Sequence, residues 1–113
     1  MLPVVSPCPF CSIPANRTWI ESEHAIAFAA DAPTADGHIV VVPKQHVPST
    51  HALPIAAQKG VWALVSEVRG RLRTGLVPDG WFIIGFLDGL TAAVPVPHAV
   101  IQVLPRRAGD RAT

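Results

Sequence analysis

Charge is scarce in this chain of 113 residues: only 15% are Asp, Glu, Lys or Arg, and the formal net charge is +1. With a sequence pI near 7.9, no polyanion-binding surface is advertised, and a nucleic-acid partner is not expected. The one basic run, Arg69, Arg71 and Arg73, falls on a predicted helix where Arg69 and Arg73 share a solvated face. Long apolar runs are missing as well. Nothing approaches the roughly 20 residues that a membrane span requires. The opening MLPVVSPCPF lacks the basic and long apolar regions of a signal peptide. The expectation is therefore a cytoplasmic location and no membrane partner. Repeats and low-complexity segments are absent, and cysteine is reduced to two residues three positions apart. In a reducing compartment such a pair points to metal or redox chemistry rather than to a structural disulfide.

What the sequence does have is apolar content, at half of all residues, which favours a packed globule over disorder. A chain of this length fits one domain over 1–113 and leaves no room for two independent cores. Twelve prolines fall mostly at element boundaries. RTWIES (17–22) and HAIAFAA (24–30) read as two strands with a tight connection, and DAPTADGH (31–38) carries turn residues. HIVVVP (38–43) is a β-branched run short enough for a buried strand, stopped by Pro43 and Pro48. Residues 53–73 read as one helix with Pro54 in its first turn. Leu53, Ala57, Val61, Leu64, Val65, Val68 and Leu72 form its apolar stripe, while Gly60 and Gly70 weaken it. Turn chemistry at 76–80, a strand over 81–87, a loop over 88–95 and a last strand over 96–104 complete the chain. Strands on both sides of one long helix suggest an α+β domain with a largely antiparallel sheet.

CPFC places Cys8 and Cys11 at the spacing that lets two thiolates share one tetrahedral ion, for which zinc is the natural occupant. A redox pair is the other reading of that spacing, but the βαβ context that would support it is missing. Two histidines are then wanted and five are present: His24, His38, His46, His51 and His98. Spacing does not choose among them, although His46 and His51 sit together in a polar loop.

CPFC, HAIAFAADAPTADGHIVVVPKQH (24–46), the long helix, DG (88–89) and VPHAVIQVLPRRAGD (96–110) occur in the order that resembles the histidine triad (HIT) family of nucleotide hydrolases and transferases. The resemblance spans nearly the whole chain. It implies an antiparallel sheet of about five strands crossed by one long helix, and commonly a homodimer. It also implies zinc ligands at Cys8, Cys11, His46 and His98, selecting His46 over His51.

The catalytic half of the pattern is broken. The family strand carries His-x-His-x-His, and its middle histidine attacks the α-phosphate to give a nucleotidyl-histidine intermediate. Here that position is Val100, whose hydrocarbon side chain has no lone pair with which to bond phosphorus. The third position is Gln102, which occurs in a uridylyl-transferring branch of the superfamily and still donates hydrogen bonds. The preceding family motif N-x-G-x-x-A-G-Q is replaced by LDGLTAAV, placing Leu87 and Val94 where polar phosphate-handling groups are expected. These apolar residues read either as a lost phosphate cleft or simply as core filling. Asp31 resembles the ribose-binding acid, one residue closer to His38 than the family pattern, and reads equally as a turn-former. His38 resembles the histidine beside the nucleotide pocket, or is a strand-entry histidine bonded to backbone.

Strand alternation puts His98, Val100 and Gln102 on one side and Ala99, Ile101 and Val103 on the other. The leading expectation is a zinc-stabilised HIT-like domain without the covalent chemistry, binding a nucleotide or another small ligand. One rival is an active hydrolase or transferase using His98 or His51 as nucleophile. Another is a dimeric interaction module.

Overall fold

The computed structural model describes residues 8, 10–31, 33, 35–87 and 98–110, with the side chain of Leu87 outside that description. Five strands, β1 (Thr18–Glu21), β2 (Ala25–Ala29), β3 (Ile39–Pro43), β4 (Trp81–Leu87) and β5 (Val100–Arg106), form one sheet in the order β1-β2-β3-β5-β4. Every neighbouring pair is antiparallel. One long helix, α1 (Ile55–Gly75), packs on a single face of it, so the fold is α+β.

Period decides which residues meet. All seven apolar positions of the expected helical stripe, Leu53 through Leu72, are buried, and α1 with Leu53 just before it lays them on Ala25, Ala27, Ile39, Val41, Ile101 and Val103. The alternate residues Phe28, Val40, Val42 and Val100 are buried on the opposite, open face, where Phe10 and Ile13 from the N-terminal segment pack against them. β3 is therefore covered on both faces, and every position from Ile39 to Pro43 is buried. Two glycines have a steric reason. Gly37 closes the β2–β3 turn at a φ of +78°, where L side chains are strained. On α1, Gly60 lets the helix approach His24: a Cβ there would lie 2.4 Å from the His24 ring.

Two elements differ from their expected bounds by two residues or more. The helix runs over Ile55–Gly75 rather than 53–73, because Pro54 sits at the N-cap with a ψ of 152° instead of inside the first turn. The last strand begins at Val100, not at 96, so His98 lies just before the strand rather than within it. The strand also continues to Arg106 through Pro105, which is paired with Phe82. That is tolerated because β3 has already ended opposite Val103, and the Gly37 turn packs on the Pro105 ring instead. The expected loop at 88–95, with Val94, lies outside the described residues. The basic run is exposed on α1, where Arg69 covers the Phe82 ring and Arg71 pairs with Glu67. No helix among the described residues is long and apolar enough to cross a membrane.

Candidate metal centre

Backbone hydrogen bonds assemble this corner before side chains enter. The Ala99 N–H donates to the Val47 carbonyl at 2.7 Å, which pins the residue after His98 to the residue after His46. The Cys11 N–H donates to the Cys8 carbonyl at 3.1 Å and closes CPFC into a turn. Four donor atoms then converge: those of Cys8, Cys11, His46 and His98 all lie within 4.8 Å of one another. His98 Nδ1 is 3.5 Å from Cys8 Sγ, 3.6 Å from Cys11 Sγ and 3.2 Å from His46 Nδ1. Cys11 Sγ is 2.9 Å from His46 Nδ1. A tetrahedron built on metal–sulfur bonds near 2.3 Å and metal–nitrogen bonds near 2.0–2.1 Å has edges of about 3.3–3.8 Å. The three separations from His98 Nδ1, 3.2–3.6 Å, lie at or near those edges, while the 2.9 Å between Cys11 and His46 is shorter and would open slightly around an ion, so the residues fit a tetrahedral cation.

The protonation pattern agrees with the geometry. His98 is buried, and its Nε2 donates to the Pro43 carbonyl at 2.9 Å. In a neutral imidazole that bond leaves Nδ1 as the lone-pair nitrogen, aimed at the two sulfurs. Burial pushes the His98 pKa below its ordinary value; the Pro43 bond opposes this and the neighbouring His46 charge adds to it. The ring is thus held in the neutral form a metal needs. The Cys11 thiol is pushed up by loss of solvation, then by its hydrogen bond with Cys8 and by repulsion from a Cys8 thiolate. A cation between the sulfurs reverses that repulsion.

Phe10 and Pro43 are participants that the sequence reading missed. Phe10 sets its ring edge-on to His98 at 5.9 Å and stacks on Phe28 at 6.3 Å. Its position between the cysteines was the available signal. Pro43 acts through its carbonyl, for which sequence carries no mark beyond the P-K-x-H spacing.

The open face next to this corner is apolar where a nucleophile was sought. Val100 is 2% exposed and packs with Phe28, Val40 and Val42. Gln102, two residues further, hydrogen-bonds the side chain of His38, which is buried and whose pKa burial lowers. The structure thus joins two of the three expected ligand-binding residues. Asp31 stands on the rim, exposed, with its carboxylate engaged by Arg17 at 2.5 Å. The Arg17 guanidinium also lies over the Phe28 ring, 5.4 Å from its centroid. His51 is exposed in a 3-10 turn (Thr50–Ala52), edge-on to Phe86 at 5.4 Å. By alternation along β4, Phe86 shares the helix side with Phe82 and Ile84, so His51 is not over Val100.

Residues 13–109 match the model of the HIT domain family, a match that begins after Cys8 and Cys11. The chain is 33% identical over 99 residues to the nitrilase and fragile histidine triad fusion protein NitFhit of Caenorhabditis elegans, covering 88% of this chain but 22% of that protein. It is 32% identical over 104 residues to a 16.1 kDa HIT-like protein of Mycoplasma pneumoniae, covering 88% of this chain and 71% of the relative. The crystal structure of a zinc-bound histidine triad family protein from Mycobacterium smegmatis superposes with a TM-score of 0.77 at 32% identity, over 95% of this chain and 80% of that one.

Proposed function

The chain belongs to the HIT domain family, and within it we propose a zinc-stapled member that does not carry out the family's covalent nucleotidyl-histidine chemistry. One observation carries the reading. His98 is locked into a cluster of four metal-competent donors, while two residues on, at the start of β5, Val100 is packed into apolar surface. With zinc bound, Cys8, Cys11, His46 and His98 would tie the N-terminal segment, the chain after β3 and the start of β5 to one point, so metal binding becomes folding stability. The zinc-bound relative from Mycobacterium smegmatis supports the choice of metal.

For phosphoryl transfer the open face offers little. Val100 has no lone pair, and a phosphate buried against it without donors would cost several kcal/mol. His98 has one nitrogen on Pro43 and the other in the metal cluster, and His51 lies toward the helix side. His38 and Gln102 are the groups suited to a small polar ligand, including a nucleotide; Asp31 would first have to leave Arg17. The partner we propose is a second copy of the chain. Among the described residues, β4 is a seven-residue apolar edge strand bonded in the sheet to β5 alone, and pairing it with its twin covers a template otherwise prone to unspecific addition.

The test is metal analysis of protein purified without chelator, together with turnover of adenosine phosphoramidate and dinucleoside polyphosphates. About one zinc per chain is expected, with no hydrolysis above background. Metal-free preparations would remove the zinc site. Robust hydrolysis abolished by His98→Ala or His51→Ala would defeat the non-enzymatic reading. Val100→His alone is expected not to restore full turnover, because Leu87 and Val94 remain where polar phosphate-handling groups are expected.

A further inference from the structure

The CPFC spacing suits two chemistries, metal binding and thiol redox, and the zinc reading uses only the first. The four donors are held in two unlike ways. His46 and His98 are fixed from outside the cluster: the Ala99 N–H bonds the Val47 carbonyl at 2.7 Å, and His98 Nε2 bonds the Pro43 carbonyl at 2.9 Å. Their rings stand edge-on with centroids 5.1 Å apart, and neither backbone bond involves a sulfur. Cys8 and Cys11 instead share one short turn, in a segment that lies before the family match. The Cys11 N–H donates to the Cys8 carbonyl at 3.1 Å, the bond that closes a β-turn and holds its end Cα atoms within about 7 Å. A disulfide needs them about 4.4–6.8 Å apart, so the turn admits one with little backbone movement. Both cysteines are free thiols; Cys11 is exposed and Cys8 half-buried. An oxidant from solvent therefore meets Cys11 first, with Cys8 beside it to resolve the product.

We propose that the Cys8–Cys11 pair is a redox release for the metal: a hydroperoxide oxidises the two sulfurs to a disulfide, the cation is freed, and His46 and His98 keep their places. A bound cation holds both sulfurs as thiolates, the form that attacks a peroxide. Cys11 Sγ attacks one peroxide oxygen; the S–O bond forms, the O–O bond breaks, and the leaving oxygen takes a proton from solvent. Cys8 Sγ then attacks Cys11 Sγ of the resulting sulfenic acid. The S–S bond forms, the S–O bond breaks, and hydroxide leaves with a second proton as water. Two electrons have passed from the sulfurs to the peroxide. Disulfide sulfurs carry no charge with which to hold a cation, and two histidines alone fall short of a tetrahedral set. Reversal takes a dithiol, which returns both thiolates by exchange and is itself oxidised to a disulfide. The unequal support makes the device reusable, because the histidine half waits in place while the cysteine half cycles.

The inference rests on the zinc reading, and its test separates the two. Hydrogen peroxide is titrated into the full zinc-loaded chain. Zinc content is measured at the start, released zinc by pyridylazoresorcinol, the disulfide by mass spectrometry, and amide exchange at Ala99. About one zinc is expected to leave for each Cys8–Cys11 disulfide formed, and dithiothreitol should restore binding. The Ala99 amide should stay protected throughout. Cys11→His keeps four donors but a single sulfur, and should release its zinc several-fold more slowly than the parent. If that variant binds no zinc, the parent's stoichiometry and its reversal decide. Zinc kept in excess peroxide, zinc lost without the disulfide, or a loss that dithiothreitol does not reverse overturns the release while leaving the zinc site standing. Equal release from Cys11→His, or an Ala99 amide that opens on oxidation, does the same. A chain that never holds zinc overturns both.

Discussion

One face of the sheet is closed by α1 and the other by a short segment with two cysteines. Among the described residues, thirteen buried ones form a continuous cluster on the helix side, while the open side has four, with Phe10, Ile13, Ile26 and Ala30 packed around them. The first face is sealed by apolar area alone, which needs no cofactor and grows with helix length. Across the sheet, the donors of Cys8, Cys11, His46 and His98 lie at the edge of the second cover, where Phe10 meets the His98 ring. β5 belongs to both regimes: Ile101 and Val103 join the helix cluster, and Val100 joins the other. The contrast teaches that one strand can hold its fold through alternate residues on the helix side while the remaining positions serve a different packing regime.

Removing the metal attacks the difference most strongly. A ligand held a thousandfold above its dissociation constant stabilises the folded state by about 4 kcal/mol. For a domain of this size that corresponds to a Tm change on the order of 15 °C. Chelation, or Cys11→Ser, is expected to lower the Tm by about that amount in calorimetry; an unchanged Tm would mean that the open face closes without metal. Matched truncations come next. Val103 and Val100 are 0% and 2% exposed, so area alone predicts equal losses. We expect about 2.5 kcal/mol for Val103→Ala, where rigid helix packing keeps the cavity, and about 1.5 kcal/mol for Val100→Ala, where the N-terminal segment can settle inward. Urea denaturation should also find that chelation shrinks the second loss and not the first. Equal losses would erase the distinction. Gly60→Ala is the smaller test of helix seating. The helix-propensity gain of about 0.5–1 kcal/mol is outweighed by the contact with His24, and a net loss of about 1 kcal/mol is expected. Adding His24→Ala should turn the loss into a gain; if it does not, α1 is not held off by that ring.

This contrast also explains what could be read from the sequence. The helix face was legible because period states it: Leu53, Ala57, Val61, Leu64, Val65, Val68 and Leu72 repeat at helical spacing, and all are buried. β3 was legible because a β-branched run bounded by prolines has few other fates. The metal corner was legible only through resemblance, since five histidines compete and spacing does not rank them. What selects His46 and His98 is the Ala99-to-Val47 backbone bond, a contact across 52 residues that no local pattern records. The start of β5 was misplaced for a related reason. His98 looks like a strand residue by alternation, but its ring is held by the Pro43 carbonyl just ahead of the first ladder pair. Phe10 escaped notice because a single aromatic between cysteines has no periodicity. The partners of Asp31 and His38, namely Arg17 and Gln102, depend on tertiary placement of residues far apart in sequence.

The smallest expected effect concerns His38, the buried polar group of the open face that stands outside the metal cluster. Burial lowers its pKa from the ordinary 6.5, and the hydrogen bond with Gln102 opposes that shift without cancelling it. The unfolded chain therefore binds a proton at higher pH than the folded one. Stability contributed by neutral His38 is complete above pH 6.5 and is lost as pH falls from there toward the lowered folded value, below which the loss levels off. Metal ligands add a fall of their own at acid pH, so the comparison must be made between two zinc-loaded proteins. His38→Gln keeps an amide capable of bonding Gln102 and removes the titration. Chemical denaturation at several pH values should give a shallower acid fall for this variant than for the parent, with the two curves parallel above pH 7 or so. Parallel curves through the acid range would show that His38 takes its proton as readily in the fold as in the open chain, and the open face would then be wetter than its burial indicates.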